Sequence, residues 1–308
     1  MMRRRLMSFP MLLVLAVFSL GPMRGSLAIA ADSGWTIADF HSVLDIRSDA
    51  GLVVTETIDA DFEVPKHGIF REIPVRYAVG LHQYALRFKL LGVDDGKLTD
   101  PYPVETSYQG DMVRLRIGSA ETYRTGRVRY RIRYHVQRAI LWEGNTAWSE
   151  SSSSVLRWNA TGTGWEVPIA ASSVLVRLPK ELDDSRLDFD AWTGSFGAKG
   201  KNFTRQRVDA RTVSFQTGRL GPGEGITVEV TMPADAVAPP GRLRELGWWL
   251  VDNFVYGLIP LVLGLCGSAW FFKGRDRPGM GSIVVHYDPP DGLTPAEVGT
   301  LVDEKVDL

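Results

Sequence analysis

The chain has one cysteine in 308 residues, Cys266, and it lies in an apolar segment near the C-terminus. The rest of the chain therefore forms no internal disulfide, and a disulfide-stapled extracellular scaffold is excluded. Stability must come from an apolar core, which about 200 residues can supply. An excess of either charge is also missing. Thirty-five basic residues stand against 36 acidic ones, and between Ala31 and Gly247 the counts are 27 and 28. Such a balance gives no electrostatic footprint for nucleic acid. Histidine is scarce, and His41, His67, His82, His135 and His286 show no metal-ligand spacing. HExxH, nucleophile elbows, Walker-type loops and paired Cys/His ligands are absent. Gly200-Lys201 lacks the earlier glycine of a phosphate loop, since Ser195 stands there. No catalytic residue, cofactor or metal is assigned from these patterns, and residues 35–232 contain no long amphipathic helical period.

Two apolar segments are present. Met1-Met2-Arg3-Arg4-Arg5 precedes the run Met11–Leu20, Gly21-Pro22 breaks it, and Ala28-Ile29-Ala30 supplies small residues for cleavage. These are the three parts of a secretory signal, so residues 1–30 are expected to be a signal peptide cut near Ala30. The run is too short for the roughly 20 residues that span a bilayer. The second segment, Asn253 to Phe272, carries no charge over 20 residues, and at ~1.5 Å each these span the ~30 Å hydrocarbon core. Trp248, Trp249 and Trp270 sit where an aromatic belt would, and Lys273, Arg275 and Arg277 follow. The positive-inside rule then puts the C-terminus in the cytoplasm and the N-terminal domain outside. Residues 250–272 are predicted as the transmembrane helix, 237–249 as a linker, and 273–308 as a cytoplasmic tail. In that tail Thr294, Pro295 and Glu297 form a capping box with proline at the first helical position, which predicts a short capped helix.

Residues 35–232 read as strands, within an exported domain expected over 31–236. Ile58, Ala60, Phe62 and Val64 alternate with Asp59, Asp61 and Glu63. In 127–136, Val128, Tyr130, Ile132, Tyr134 and Val136 share one face, and Arg127, Arg129, Arg131, Arg133 and His135 the other. Period-two alternation means one buried and one wet face. Turn signals such as Asp49-Ala50-Gly51 and Gly221-Pro222-Gly223 separate the runs. The fold class predicted is mainly β, an antiparallel β-sandwich with one transmembrane α-helix.

Several segments carry a resemblance: His67-Gly68-Ile69-Phe70-Arg71-Glu72-Ile73-Pro74, the stretch Arg157-Trp158-Asn159-Ala160-Thr161-Gly162-Thr163-Gly164-Trp165 on to Ile169, then Gly274-Arg275-Asp276, and Tyr287 to Glu297. In order and content they resemble the domain-of-unknown-function 2207 family of predicted bacterial and archaeal membrane proteins, over nearly the whole mature chain. The resemblance implies membrane residence and a cytoplasmic region longer than the tail here, so the chain reads as a short member or a truncated product. It brings no established activity and no site residues.

Three surfaces are candidates for binding. Arg71 beside Glu72 offers a guanidinium fork for a carboxylate or phosphate, or else pairs internally around a turn at Gly68. Trp158, Asn159 and Trp165 offer ring faces and an amide of the kind that meets carbohydrate, or else plug the core. Arg129 and Arg131 face anionic headgroups or wall polymers, or else Asp59, Asp61 and Glu63 on a neighbouring strand. The function expected is a membrane-anchored envelope protein of the cell membrane, single-pass, that binds an envelope component or partner protein. The alternative is an envelope hydrolase of wall or polysaccharide, with carboxylates such as Glu143, Glu150 or Glu166 paired ~5–10 Å apart in a cleft.

Overall fold

A computed structural model describes residues 33–79, 82–97, 101–143, 153–274 and 292–303. The expected signal peptide, Glu150, Arg275, Arg277 and the stretch from Tyr287 to Asp291 lie outside the described residues. The chain divides into two compact units. One is the β domain, reaching to Tyr77 and running again from Ala85 to Pro240; the other joins Ala78–Tyr84 to the residues from Gly241 on.

Sixteen strands are described: β1 (Trp35–Ile46), β2 (Leu52–Lys66), β3 (Gly68–Pro74), β4 (Arg76–Val79), β5 (His82–Ala85), β6 (Arg87–Asp94), β7 (Val104–Gln109), β8 (Met112–Gly118), β9 (Arg124–Gln137), β10 (Ile140–Glu143), β11 (Ser153–Asn159), β12 (Ser172–Arg177), β13 (Asp188–Gly194), β14 (Thr204–Asp209), β15 (Thr212–Thr217) and β16 (Gly225–Pro233). The protein is mostly β, in agreement with the sequence. A seven-stranded sheet runs in the order β14-β15-β12-β1-β2-β9-β6, a four-stranded sheet β10-β11-β16-β13, and a three-stranded sheet β3-β8-β7. All these pairs are antiparallel except β1 with β12, which is parallel.

The alternation in β2 and β9 sets the core. Val54, Ile58 and Ala60 on β2 are buried with Tyr130, Ile132, Tyr134 and Val136 on β9. Arg71 from β3 reaches Glu56 on β2, and Tyr134 on β9 meets Trp158 on β11. Glu56 and Tyr134 are themselves hydrogen-bonded, so both small sheets contribute to the core on one face of the large sheet. Val64, expected inward with Ile58 and Ala60, is instead exposed. Between Phe62 and Lys66 four steps of β2 oppose two of β9, so two extra residues bulge from the ladder, and Glu63, Val64 and Pro65 are all exposed there.

In the second unit, α1 (Arg242–Asp252) occupies most of the stretch predicted as a linker. A non-helical Asn253 (φ −123°, ψ 30°) separates it from α2 (Phe254–Ala269), which continues as one π turn to Gly274. Phe254–Gly274 is the one helix among the described residues that is long and apolar enough to cross a membrane. The last helix, α3 (Pro295–Asp303), starts at the predicted capping box. The Thr294 backbone N–H and hydroxyl both donate to the Glu297 carboxylate, at 2.7 and 2.8 Å.

Candidate functional site

Strand β3 carries the first of the resembling segments, and alternation sorts its residues. Ile69, Arg71 and Ile73 point inward and Phe70 outward. An arginine on the inward face of a strand must find an anion, because an unpaired buried charge is expensive. It finds Glu56, which occupies an inward position in the alternation of β2. The Arg71 Nε and Nη2 donate to the two Glu56 carboxylate oxygens at 2.8 and 2.7 Å. Tyr134 Oη donates to the same carboxylate at 2.7 Å, and Arg71 Nη1 donates to the Glu72 carbonyl at 3.0 Å. All three residues are at most 2% exposed. Burial, then the neighbouring Glu56 charge, pushes the Tyr134 phenol well above its ordinary range, so it stays a neutral donor.

The second segment closes over this group. The guanidinium carbon of Arg71 lies 5.7 Å from the Phe40 ring centre and 5.8 Å from that of Trp165, a geometry in which the ring quadrupole attracts the cation. Trp165 is held by its indole N–H, which donates to the Thr161 carbonyl at 2.8 Å, and the Thr161 hydroxyl accepts the Ile226 N–H at 3.0 Å. Asn159 is part of the same loop, its side-chain oxygen accepting the Gly162 N–H at 2.9 Å. Gly162 has φ +79°, and a Cβ there would stand 2.1 Å from Arg71 Nη1. Only glycine lets the loop settle onto the guanidinium. Trp158, at 5% exposed, packs 6.4 Å from Tyr134. Arg71, Trp158 and Trp165 are thus interior residues, and Asn159 is half-buried at the end of β11.

Outward, the two segments share a patch. The Arg114 guanidinium of β8 lies 4.2 Å over the half-exposed Phe70 ring and 3.5 Å from the Glu72 carboxylate. A Cβ on Gly164 would stand 3.2 Å from that carboxylate. Beside the patch a cleft of about 350 Å³ is lined by Lys66, His67, Phe70, Arg116 and Ser119, with His67 stacked on Tyr123 at 4.1 Å. At its floor Gly68 and Gly118 face each other so closely that a Cβ on either would overlap the opposite backbone. Aromatic faces, two carboxylate oxygens and several cations around a rigid floor suit non-covalent recognition of a polar ligand.

The arginine face of β9 is engaged by carboxylates. Arg129 forks onto Asp59 with two bonds of 2.7 Å, Arg131 meets Asp94 at 2.8 Å, and Arg127 meets Asp61 at 3.4 Å. Asp59 and Asp61 lie directly across the β2–β9 ladder from Arg129 and Arg127. The hydrogen bonds from Arg129 hold the Asp59 carboxyl below its usual range. On the same outer face, His41 Nδ1 and the Ser173 hydroxyl are joined by a 2.7 Å hydrogen bond, and Asp39 lies two residues before His41. Burial lowers the His41 imidazole from its ordinary value. A hydrolytic serine–histidine pair draws much of its rate from oxyanion donors. β1 and β12 are interior strands with a partner on each side, so their N–H groups are taken up in the ladders.

Glu166 is exposed beside Trp165; the Glu143 side chain and Glu150 lie outside the described residues. Among the described residues no group of three or more His, Cys, Asp or Glu is arranged to hold a metal ion. Sequence patterns missed Glu56. Its signal was there, a carboxylate at an inward position of an alternating strand.

No curated protein matches the chain. Among solved structures it is similar to native leukotriene A4 hydrolase from Saccharomyces cerevisiae, with TM-score 0.38 and 10% identity over 64% of this chain and 29% of that one. It is also similar to the M1 zinc metallopeptidase from Deinococcus radiodurans, with TM-score 0.33 and 12% identity over 64% of this chain and 42% of that one. The chain spans less than half the length of either. Residues 36–232 match the N-terminal domain of a family described as predicted membrane protein (DUF2207). That stretch runs from β1 to β16 and holds both segments that meet at Arg71, and the chain belongs to this family.

Proposed function

We propose that the protein is a membrane-anchored recognition module of the cell envelope. Its β domain, exported, presents the Phe70–Glu72–Arg114 patch and the adjoining cleft to an envelope component or partner protein, while α2 spans the cell membrane once and the tail lies in the cytoplasm. One observation carries the reading: two segments some 90 residues apart in the chain close on a single buried arginine. That closure holds Phe70, Glu72 and Gly164 outward on a rigid base. Rigid, part-apolar, part-charged surface is what binding uses, since little ordering entropy is then lost. The reading of α2 as the span is supported by its apolar length and by the family it belongs to, and the orientation by Lys273 and the two arginines after it.

A photo-crosslinking residue at Phe70 tests the binding face, with the outer-face position Leu175 as reference. In cells, a discrete adduct from 70 and none from 175 is the expected result. Equal adducts from both sites, or none from 70, sink it. Reporters active only outside the membrane, fused after Pro239 and after Asp291, test the orientation; activity is expected from the first alone.

A further inference from the structure

We infer that α1 is an interfacial helix, lying in the headgroup layer of the bilayer with its leucines turned toward the acyl chains. The inference rests on the proposed reading of α2 as a membrane span. Leu243, Leu246 and Leu250 recur at i, i+3 and i+7, so they form one stripe on the helix. They are 86%, 53% and 48% exposed. Arg244, Glu245 and Asp252 fall on the opposite arc at 100° per residue. What covers the stripe follows from covalent continuity. α1 ends at Asp252, with Asn253 alone between it and α2, so an 11-residue helix of about 16 Å starts where the hydrocarbon ends.

Its direction is set at Asn253. There the backbone leaves the helical region, and the side chain is 3% exposed. The Asn253 Oδ1 accepts the Gln83 N–H at 2.9 Å and its Nδ2 donates to the Gln83 carbonyl at 3.1 Å and to the Trp249 carbonyl at 3.0 Å. The junction is thus fastened to the β4–β5 hairpin instead of running on as one straight helix. A helix standing along the membrane normal would leave three leucines in water. Lying in the interface, it places them in the acyl boundary and its charges among the headgroups, as amphipathic interfacial helices do.

The full-length chain with Cys266→Ser, which removes the only cysteine, provides the background for single-cysteine variants Leu243→Cys, Leu246→Cys, Leu250→Cys, Arg244→Cys, Glu245→Cys and Leu263→Cys. Each is labelled with a bimane and reconstituted in phosphatidylcholine vesicles formed with aqueous iodide on both sides, with or without bromine on the acyl chains. At 243, 246 and 250 bromolipid quenching is expected to exceed that at 244 and 245 by about threefold or more, with iodide quenching in the reverse order. Position 263, inside the span, should be quenched by bromolipid alone. If 263 behaves so while 243, 246 and 250 are quenched by iodide like 244 and 245, α1 stands in water and the inference is overturned. If neither quencher reaches 243, 246 and 250, protein covers them and the inference is equally overturned. If iodide quenches 263, the span itself fails and the interfacial helix with it.

Discussion

Glu56 and Arg71 form the interior's charged centre, and the two substitutions should not add. Removing either partner leaves a buried charge without its counter-ion, at a cost of about 3–5 kcal/mol. Arg71→Met alone or Glu56→Leu alone is therefore expected to lower the urea midpoint of the full chain in detergent far more than the double variant does. A double variant no more stable than the worse single would refute the pairing as the source of the cost. On the outer face of the large sheet, Asp59, largely covered by Arg129, gives a pH signature. Its folded-state carboxyl is held below the usual value by Arg129. The stability it supplies is present above the unfolded value of 3.8 and is lost as pH falls through the folded value. Asp59→Asn should thus flatten the acid limb of a Tm-against-pH curve below about pH 4 and leave its slope near neutrality unchanged. Arg71 itself was legible only as a pair of alternatives. The residue type says that it binds an anion, but choosing between a ligand and Glu56 needs the packing of the β3-β8-β7 sheet against β2, which local patterns do not carry.

Strand β9 tests the facing of an entire element. Ile132 is fully buried and Arg131 lies on the outer side with Asp94. Ile132→Asp should cost several kcal/mol, enough to unfold the domain, whereas Arg127→Gln on the same outer side, which loses an exposed ion pair to Asp61, should cost about 1 kcal/mol or less. Comparable melting of the two variants by circular dichroism would reverse the assignment. The glycine loop offers a second contrast. Gly162 and Gly223 both have positive φ, +79° and +76°, but a Cβ at Gly223 meets nothing within 4 Å. Each alanine variant carries backbone strain of about 1–3 kcal/mol, and Gly162→Ala should lose clearly more, because Arg71 must also move. Alternation made β2 and β9 plain from sequence, as the capping box did α3. The bulge that exposes Val64 left no such trace. Helix α1 was missed because its eleven residues sit between a proline-rich stretch and the apolar run, and its stripe holds only three leucines.

For the protein as a whole, the parallel pairing of β1 with β12 has a temporal consequence. β1 lies in the middle of the large sheet, bonded on one side to β2, which follows it at once, and on the other to β12, which lies on the order of a hundred residues further along the chain. At the usual pace of polypeptide synthesis that gap lasts on the order of ten seconds. For that interval the first strand to emerge has one open edge, with the apolar side chains Phe40, Leu44 and Ile46 beside it, a template for pairing with any other nascent chain. The sheet cannot close progressively from its N-terminus and must wait for its late strand, so the domain matures as a single step near the end of its own synthesis. A chain stopped after Asn159, before β12, is expected to accumulate as aggregates in a pulse-chase sedimentation assay, while one stopped after Pro240 stays soluble. Soluble accumulation of the shorter chain would mean that the open edge is harmless.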